Sequence, residues 1–135
     1  MIGIVIVAHG GLAKEYLAAV QHVVGPQPAL MAIAIGPEDD REVKQDEICD
    51  AANTVDGGDG VVVVTDLFGG SPSNLSLRAC APANRRILYG ANLPMLIKLA
   101  KSRHLPVADA VRQAMEAGRK YINSQIVNPE GGAAE

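Results

Sequence analysis

The sequence predicts an α/β fold: a single-domain, open, mostly parallel sheet in the strand order 2-1-3-4, with helices on both faces. Three observations carry that expectation. Ile2–Ala8 (IGIVIVA) and Gly60–Thr65 (GVVVVT) are unbroken apolar runs rich in β-branched residues, as in strands buried on both faces. Segments with helical spacing alternate with these runs. A length of 135 residues, 48% apolar and 20% charged, suits one domain with its own core and excludes a disordered linker.

The elements follow in order. After the first strand, Leu12–Val24 sets Leu12, Tyr16, Ala19, Val20 and Val23 on one helical stripe. Ala29–Ile35 (ALMAIAI) reads as a strand. Asp39–Val55 reads as a polar helix with Val43, Ile48, Ala51, Ala52 and Val55 facing inward. Gly57, Gly58 and Gly60 turn the chain into the next strand. Ser71 reads as an N-cap with Pro72 at the first helical position, opening a helix to about Ala81. A weaker strand is expected at Arg86–Tyr89, a helix from Pro94 to Arg103, and a last helix from Pro106 to Gly118. A β-branched fragment, Tyr121–Val127, closes the expected domain at 1–127, and 128–135 (NPEGGAAE) reads as a frayed, disordered tail.

Charge and composition exclude several functions. With 15 acidic and 12 basic residues the net charge is −3, which argues against a nucleic-acid binder held by phosphate contacts. One Phe, three Tyr and no Trp leave no stacking platform for single strands. Cys49 and Cys80 read as small buried hydrophobes in a reducing compartment rather than as a disulfide scaffold. No apolar stretch approaches the roughly 20 residues needed to span a bilayer, and the first residues lack a basic leader. The expectation is a cytoplasmic protein with no direct membrane insertion.

Ligands of open α/β sheets bind beyond the carboxyl ends of the strands, where strand order reverses. The first strand runs into His9-Gly10-Gly11, and the third into Asp66 followed by Leu67-Phe68-Gly69-Gly70-Ser71-Pro72. Adjacent strands lie about 4.8 Å apart, so the 2-1-3-4 order brings His9 within hydrogen-bonding reach of Asp66. A carboxylate on one imidazole N–H fixes the tautomer, frees the other nitrogen as a nucleophile and offsets positive charge on the ring. Glycines at 10, 69 and 70 expose backbone amides to an anion, and Ser71 can cap a helix or donate to a phosphate. Asn92 and Pro94 follow the fourth strand and are expected to rim the same face. There is neither a P-loop nor a GxGxxG pattern, so a self-sufficient nucleotide site is excluded. No His, Cys or acidic cluster has metal-ligand spacing, and no cofactor is implied. His22 and His104 read as surface residues.

VAHGGLA near the start, TDLFGGSPSN at 65–74 and GANLPML at 90–96 together resemble the mannose-family enzyme IIA component of the bacterial phosphoenolpyruvate-dependent sugar phosphotransferase system. The resemblance spans about Met1 to Ser124. It implies that His9 matches the histidine that accepts a phosphoryl group from the phosphocarrier protein HPr and passes it to an enzyme IIB component. Asp66 then matches the orienting carboxylate, and Ser71 with Gly69 and Gly70 the phosphoryl-cradling loop. It also implies a homodimer in which a C-terminal strand, here Tyr121–Val127, adds antiparallel to the partner's sheet. In the best-known architecture IIA is fused to IIB through an Ala/Pro-rich linker; with NPEGGAAE after the expected domain, the expectation is a IIB component on a separate chain. The phosphoryl-donor subunit for dihydroxyacetone kinase resembles the same fold and motif. Two other readings use the same residues: a non-covalent phosphometabolite-binding module, and a small hydrolase acting through Ser71. The hydrolase is disfavoured because the G-x-S-x-G elbow is missing.

Overall fold

The computed structural model describes residues 1–82 and 84–132. Its element order is β1 (Gly3–His9), α1 (Leu12–Val24), β2 (Leu30–Ile35), α2 (Arg41–Val55), β3 (Val61–Thr65), α3 (Ser71–Leu75), a 3₁₀ turn at Arg78–Cys80, β4 (Arg85–Leu88), α4 (Leu93–Lys101) and α5 (Val107–Lys120). The four strands form one parallel sheet in the order β2-β1-β3-β4, as the sequence predicts.

Side chains alternate along each strand, and the two central strands are apolar on both sides. Ile2, Ile4, Ile6, Val62 and Val64 pack beneath α1, α4 and α5, against Val20, Leu99, Ala110 and Ala114. Val5, Val7, Val61 and Val63 face the other way, against Ile48, Ala52 and Val55 of α2 and Leu75 beyond. Val61–Val64 are wholly buried, so each stabilises the fold by about 1.5–3 kcal/mol. The small residues have a packing role. At Gly3 an added Cβ would lie 2.3 Å from the Val55 carbonyl oxygen, so only glycine lets α2 settle on the sheet.

Helix ends follow local chemistry. Asp40 caps α2, its carboxylate accepting the Val43 N–H at 3.0 Å, while Asp39 folds back onto the Gly36 N–H at 2.6 Å. Asn92 caps α4 through the Met95 N–H at 3.1 Å. Several sequence expectations fail at side-chain level. Val43 and Val23 point outward, 61% and 53% exposed, because α1 and α2 each need only a narrow apolar stripe. Ser71 is not the N-cap; Gly70 occupies that position and Ser71 begins the helix. The helix expected through Ala81 breaks after Leu75, where the Ser76 hydroxyl bonds back to the Pro72 carbonyl. Cys49 and Cys80 are half-buried free thiols packed against the α2-side core. Burial pushes the Cys80 thiol up to about 11.

Tyr121–Val127 lies exposed along its whole length and outside this sheet. Within the stretch expected to fray, the Asn128 side chain accepts the Glu130 and Gly132 N–H groups; residues 133–135 lie outside the described residues.

One buried cation ties the ends of the sheet together. Arg103 is 4% exposed, and its guanidinium donates to the carbonyls of Ile2 and Ala29 and to Gln27, at 2.8, 2.7 and 3.2 Å. Burial lowers its pKa, but these acceptors keep a guanidinium hydrogen-bonded without a carboxylate. Arg103→Met removes the donors and strands the carbonyls. Chemical denaturation is expected to show a loss of about 3 kcal/mol.

Candidate functional site

His9 ends β1 and Asp66 follows β3 directly, so the parallel pairing of the two strands brings them together. Asp66 Oδ2 accepts the backbone N–H of His9 at 3.0 Å and stands 2.7 Å from His9 Nδ1. Its other oxygen accepts the Leu67 N–H at 3.0 Å, which pins the carboxylate in its own loop. Burial pushes the Asp66 pKa up, but the His9 N–H, the His9 ring and its own amide outweigh this and leave it below the usual carboxylate range. An ionised Asp66 only accepts hydrogen bonds, so Nδ1 carries the proton between them and Nε2 is the ring nitrogen left free of the carboxylate.

The Asp66 side chain is 9% exposed and the imidazole 51%. A largely covered carboxylate thus orients a half-exposed ring. By strand parity with Val5 and Val7, His9 lies on the face covered by α2 and α3. There Gly70 abuts the ring. A Cβ added at Gly70 would sit 3.3 Å from His9 Cε1 and 2.9 Å from a Leu67 methyl, so a side chain there would crowd the imidazole.

The remaining expected site residues divide. Gly10 and Gly69 have φ of +55° and +86°, so both need glycine for their turns. Their amides are already engaged: Gly10 N–H bonds the Ile35 carbonyl at 2.9 Å, and Gly69 N–H reaches Ser73 Oγ at 3.4 Å. Ser71 is exposed at the start of α3 beside Gly70. Asn92 stands at the same end of the sheet but is occupied with structure, bonding Met95 N–H, Gly90 O and Gly118 O. His22 and His104 are exposed elsewhere. Among the described residues, no three His, Cys or acidic side chains are grouped to hold a metal ion.

Two supporting residues escaped the sequence reading. Thr65, wholly buried, approaches the Leu67 carbonyl at 3.5 Å, and Ser73 closes the glycine turn from inside α3. A hydroxyl ending a run of four valines was the available signal for Thr65. Phe68, 78% exposed, meets Tyr89 edge-on at 5.0 Å.

The four loops at this edge (10–11, 36–40, 66–70 and 89–92) contain no Lys or Arg, and they carry Glu38, Asp39, Asp40 and Asp66. Among the described residues no helix is long and apolar enough to cross a membrane.

The lowered pKa of Asp66 makes the site a contributor to acid stability. Its share is complete above the pKa of the unfolded carboxyl, about 3.9, and is lost as pH falls through the lower folded value. Denaturation from pH 5 to 2 is therefore expected to show a shallower acid loss for Asp66→Asn than for the parent chain.

A family model, EIIA-man, described as the PTS system fructose IIA component, matches residues 3–116. The PTS system mannose-specific EIIAB component of Escherichia coli K12 is 27% identical over 136 aligned positions, covering 98% of this chain. The chain spans only 42% of that relative. The PTS system sorbose-specific EIIA component of Lacticaseibacillus casei is 26% identical, over 90% of this chain and 88% of the relative. A crystal structure of a phosphotransferase system component EIIA from Streptococcus agalactiae superposes with a TM-score of 0.82 at 26% identity, covering 92% of this chain and 97% of that one.

Proposed function

The chain belongs to the mannose family of phosphotransferase-system IIA components, and from that premise we propose that it is a phosphoryl carrier working through His9. Nε2 of His9 accepts a phosphoryl group from the phosphohistidine of HPr and passes it to a histidine of an enzyme IIB component. The observation that carries this reading is the hydrogen bond of 2.7 Å from His9 Nδ1 to Asp66, which makes Nε2 of a half-exposed ring the nitrogen available to phosphorus.

The transfer balances without an added reagent. The Nε2 lone pair forms a bond to phosphorus as the bond from phosphorus to the donor imidazole breaks, and the donor leaves with that electron pair. His9 keeps its Nδ1 proton throughout, and positive charge gathering on the ring is offset by the fixed Asp66 carboxylate. Onward transfer is the same step in reverse, with the IIB histidine as nucleophile. In this reading Gly70 leaves room for the phosphoryl group beside the ring, and Ser71, exposed at the start of α3, donates its hydroxyl to it. Gly10 and Gly69 act through their backbone turns, since their amides are spent on protein acceptors.

The missing cations bear on the alternative of a non-covalent phosphometabolite site. A stable complex with a free phosphate ester relies on Arg or Lys, and the loops at this edge supply carboxylates instead. A covalently held phosphoryl group in transit has no such requirement.

The same reading extends to a homodimer. Among the described residues the outer edge of β4 has no strand partner, and a groove of about 430 Å³ beside it is floored by Leu88, Met95, Val111 and Met115. Tyr121–Val127, with Ile122 77% and Ile126 69% exposed, is the chain's own candidate to fill that groove on a partner.

Incubation with phosphoenolpyruvate, enzyme I and HPr is expected to give an acid-labile, base-stable label on the parent chain and none on His9→Ala. Labelling of His9→Ala overturns the assignment. Asp66→Asn is expected to slow single-turnover transfer about 10–100-fold with an unchanged fold. Sedimentation is expected to find a dimer at micromolar concentration and a monomer after deletion beyond Lys120.

A further inference from the structure

The opposite edge of the sheet is open as well, and its chemistry differs. Among the described residues β2 is hydrogen-bonded to β1 alone, so the outer N–H and C=O groups of Leu30–Ile35 have no strand partner there. Beside it, a groove of about 490 Å³ runs between the strand and α2. Met31 and Val43 line it while 38% and 61% exposed, which is costly for apolar side chains in water. Asp46, Glu47 and Asp50 line the same groove from one stripe of α2. Glu47 is paired with Lys44 at 2.9 Å and Asp46 with Arg78 at 3.3 Å, while Asp50 has no ion-pair partner among the described residues.

The surroundings deepen the negative field. From Glu38 to Asp50 there are seven acidic residues against Arg41 and Lys44, a local net charge of −5 in a chain whose total is −3. That charge selects the occupant. A second copy pairing β2 against β2 would bring two such acidic rims together, which repel. An unpaired strand edge, an apolar floor and an acidic rim fit instead an extended, cationic segment.

We propose that this edge docks an extended basic segment of a partner protein, which adds a strand to β2. Its Lys or Arg side chains lay their aliphatic stems over Met31 and Val43 and set their charged heads against Asp46, Glu47 and Asp50. The site lies along the side of the sheet and is independent of phosphorylation at His9.

Two synthetic peptides test this, one alternating Lys with Val and one carrying Glu in place of every Lys. The Lys peptide is expected to bind and to slow amide hydrogen exchange across Leu30–Ile35, while the Glu peptide does neither. Raising salt from about 0.05 to 0.5 M should weaken binding several-fold. Asp50→Lys, and the triple change that adds Asp46→Lys and Glu47→Lys, should weaken it progressively, by tenfold or more for the triple, with circular dichroism unchanged. His9→Ala should bind as the parent does, which separates this site from the phosphoryl-carrier reading. Four results overturn the proposal: no binding, equal binding of the Glu peptide, protection at β4 instead of β2, or protection of Leu30–Ile35 that rises with protein concentration without peptide, which would make a second copy the occupant of this edge.

Discussion

Everything at the site depends on the parallel pairing of β1 with β3. Val5, Val7, Val61 and Val63 on one side, and Ile4, Ile6, Val62 and Val64 on the other, lock these strands into the centre of the sheet. Their register then decides where both chains leave the sheet. Histidine is the last residue of one strand, and aspartate is the first beyond the other. The imidazole and carboxylate meet because strand ends have no freedom to be elsewhere. Two helical layers covering the sheet exclude water from the strands and leave the carboxyl ends as the natural exit for polar chemistry.

Within that frame the carboxylate acts as a fixed electrostatic group. One oxygen holds both the backbone and the ring of His9, while the other is held by the Leu67 amide. Little reorganisation is left for the moment when charge moves onto the ring, and such preorganisation is the largest contribution in many enzymes. Gly70 completes the arrangement by omission, because any side chain there would press on the imidazole.

Much of this was legible in the sequence. The sheet order, the spans of every helix but the third and the meeting of His9 with Asp66 follow the apolar periodicity and the residues at strand ends. What escaped depends on three-dimensional choices between near-equal local options. Val43 belongs to the helical apolar pattern but faces a groove, since Ile48, Ala51, Ala52 and Val55 already fill the space above the sheet. Gly70 and Ser71 compete for one cap position, and the glycine turn settles it. Periodicity cannot reveal that the amides of Gly10 and Gly69 are spent on Ile35 and Ser73, because those bonds depend on where distant backbone passes. Thr65 and Ser73 support the loop from buried positions that resemble ordinary core.

The Arg103 clamp has a consequence for how the chain is made. A strand at the centre of the finished sheet is also the first of the four to be synthesised, and the residue that leads into it, Ile2, is fastened by a side chain 101 positions later. At about 5–20 residues per second, that clamp arrives roughly 5–20 s after the strand it closes. β2 and β3 flank β1 well before then, yet the start of β1 lacks both its bonds to Arg103 until α4 is complete. The N-terminal half is therefore a scaffold in waiting during synthesis. The lead into its central strand waits for a side chain that follows α4.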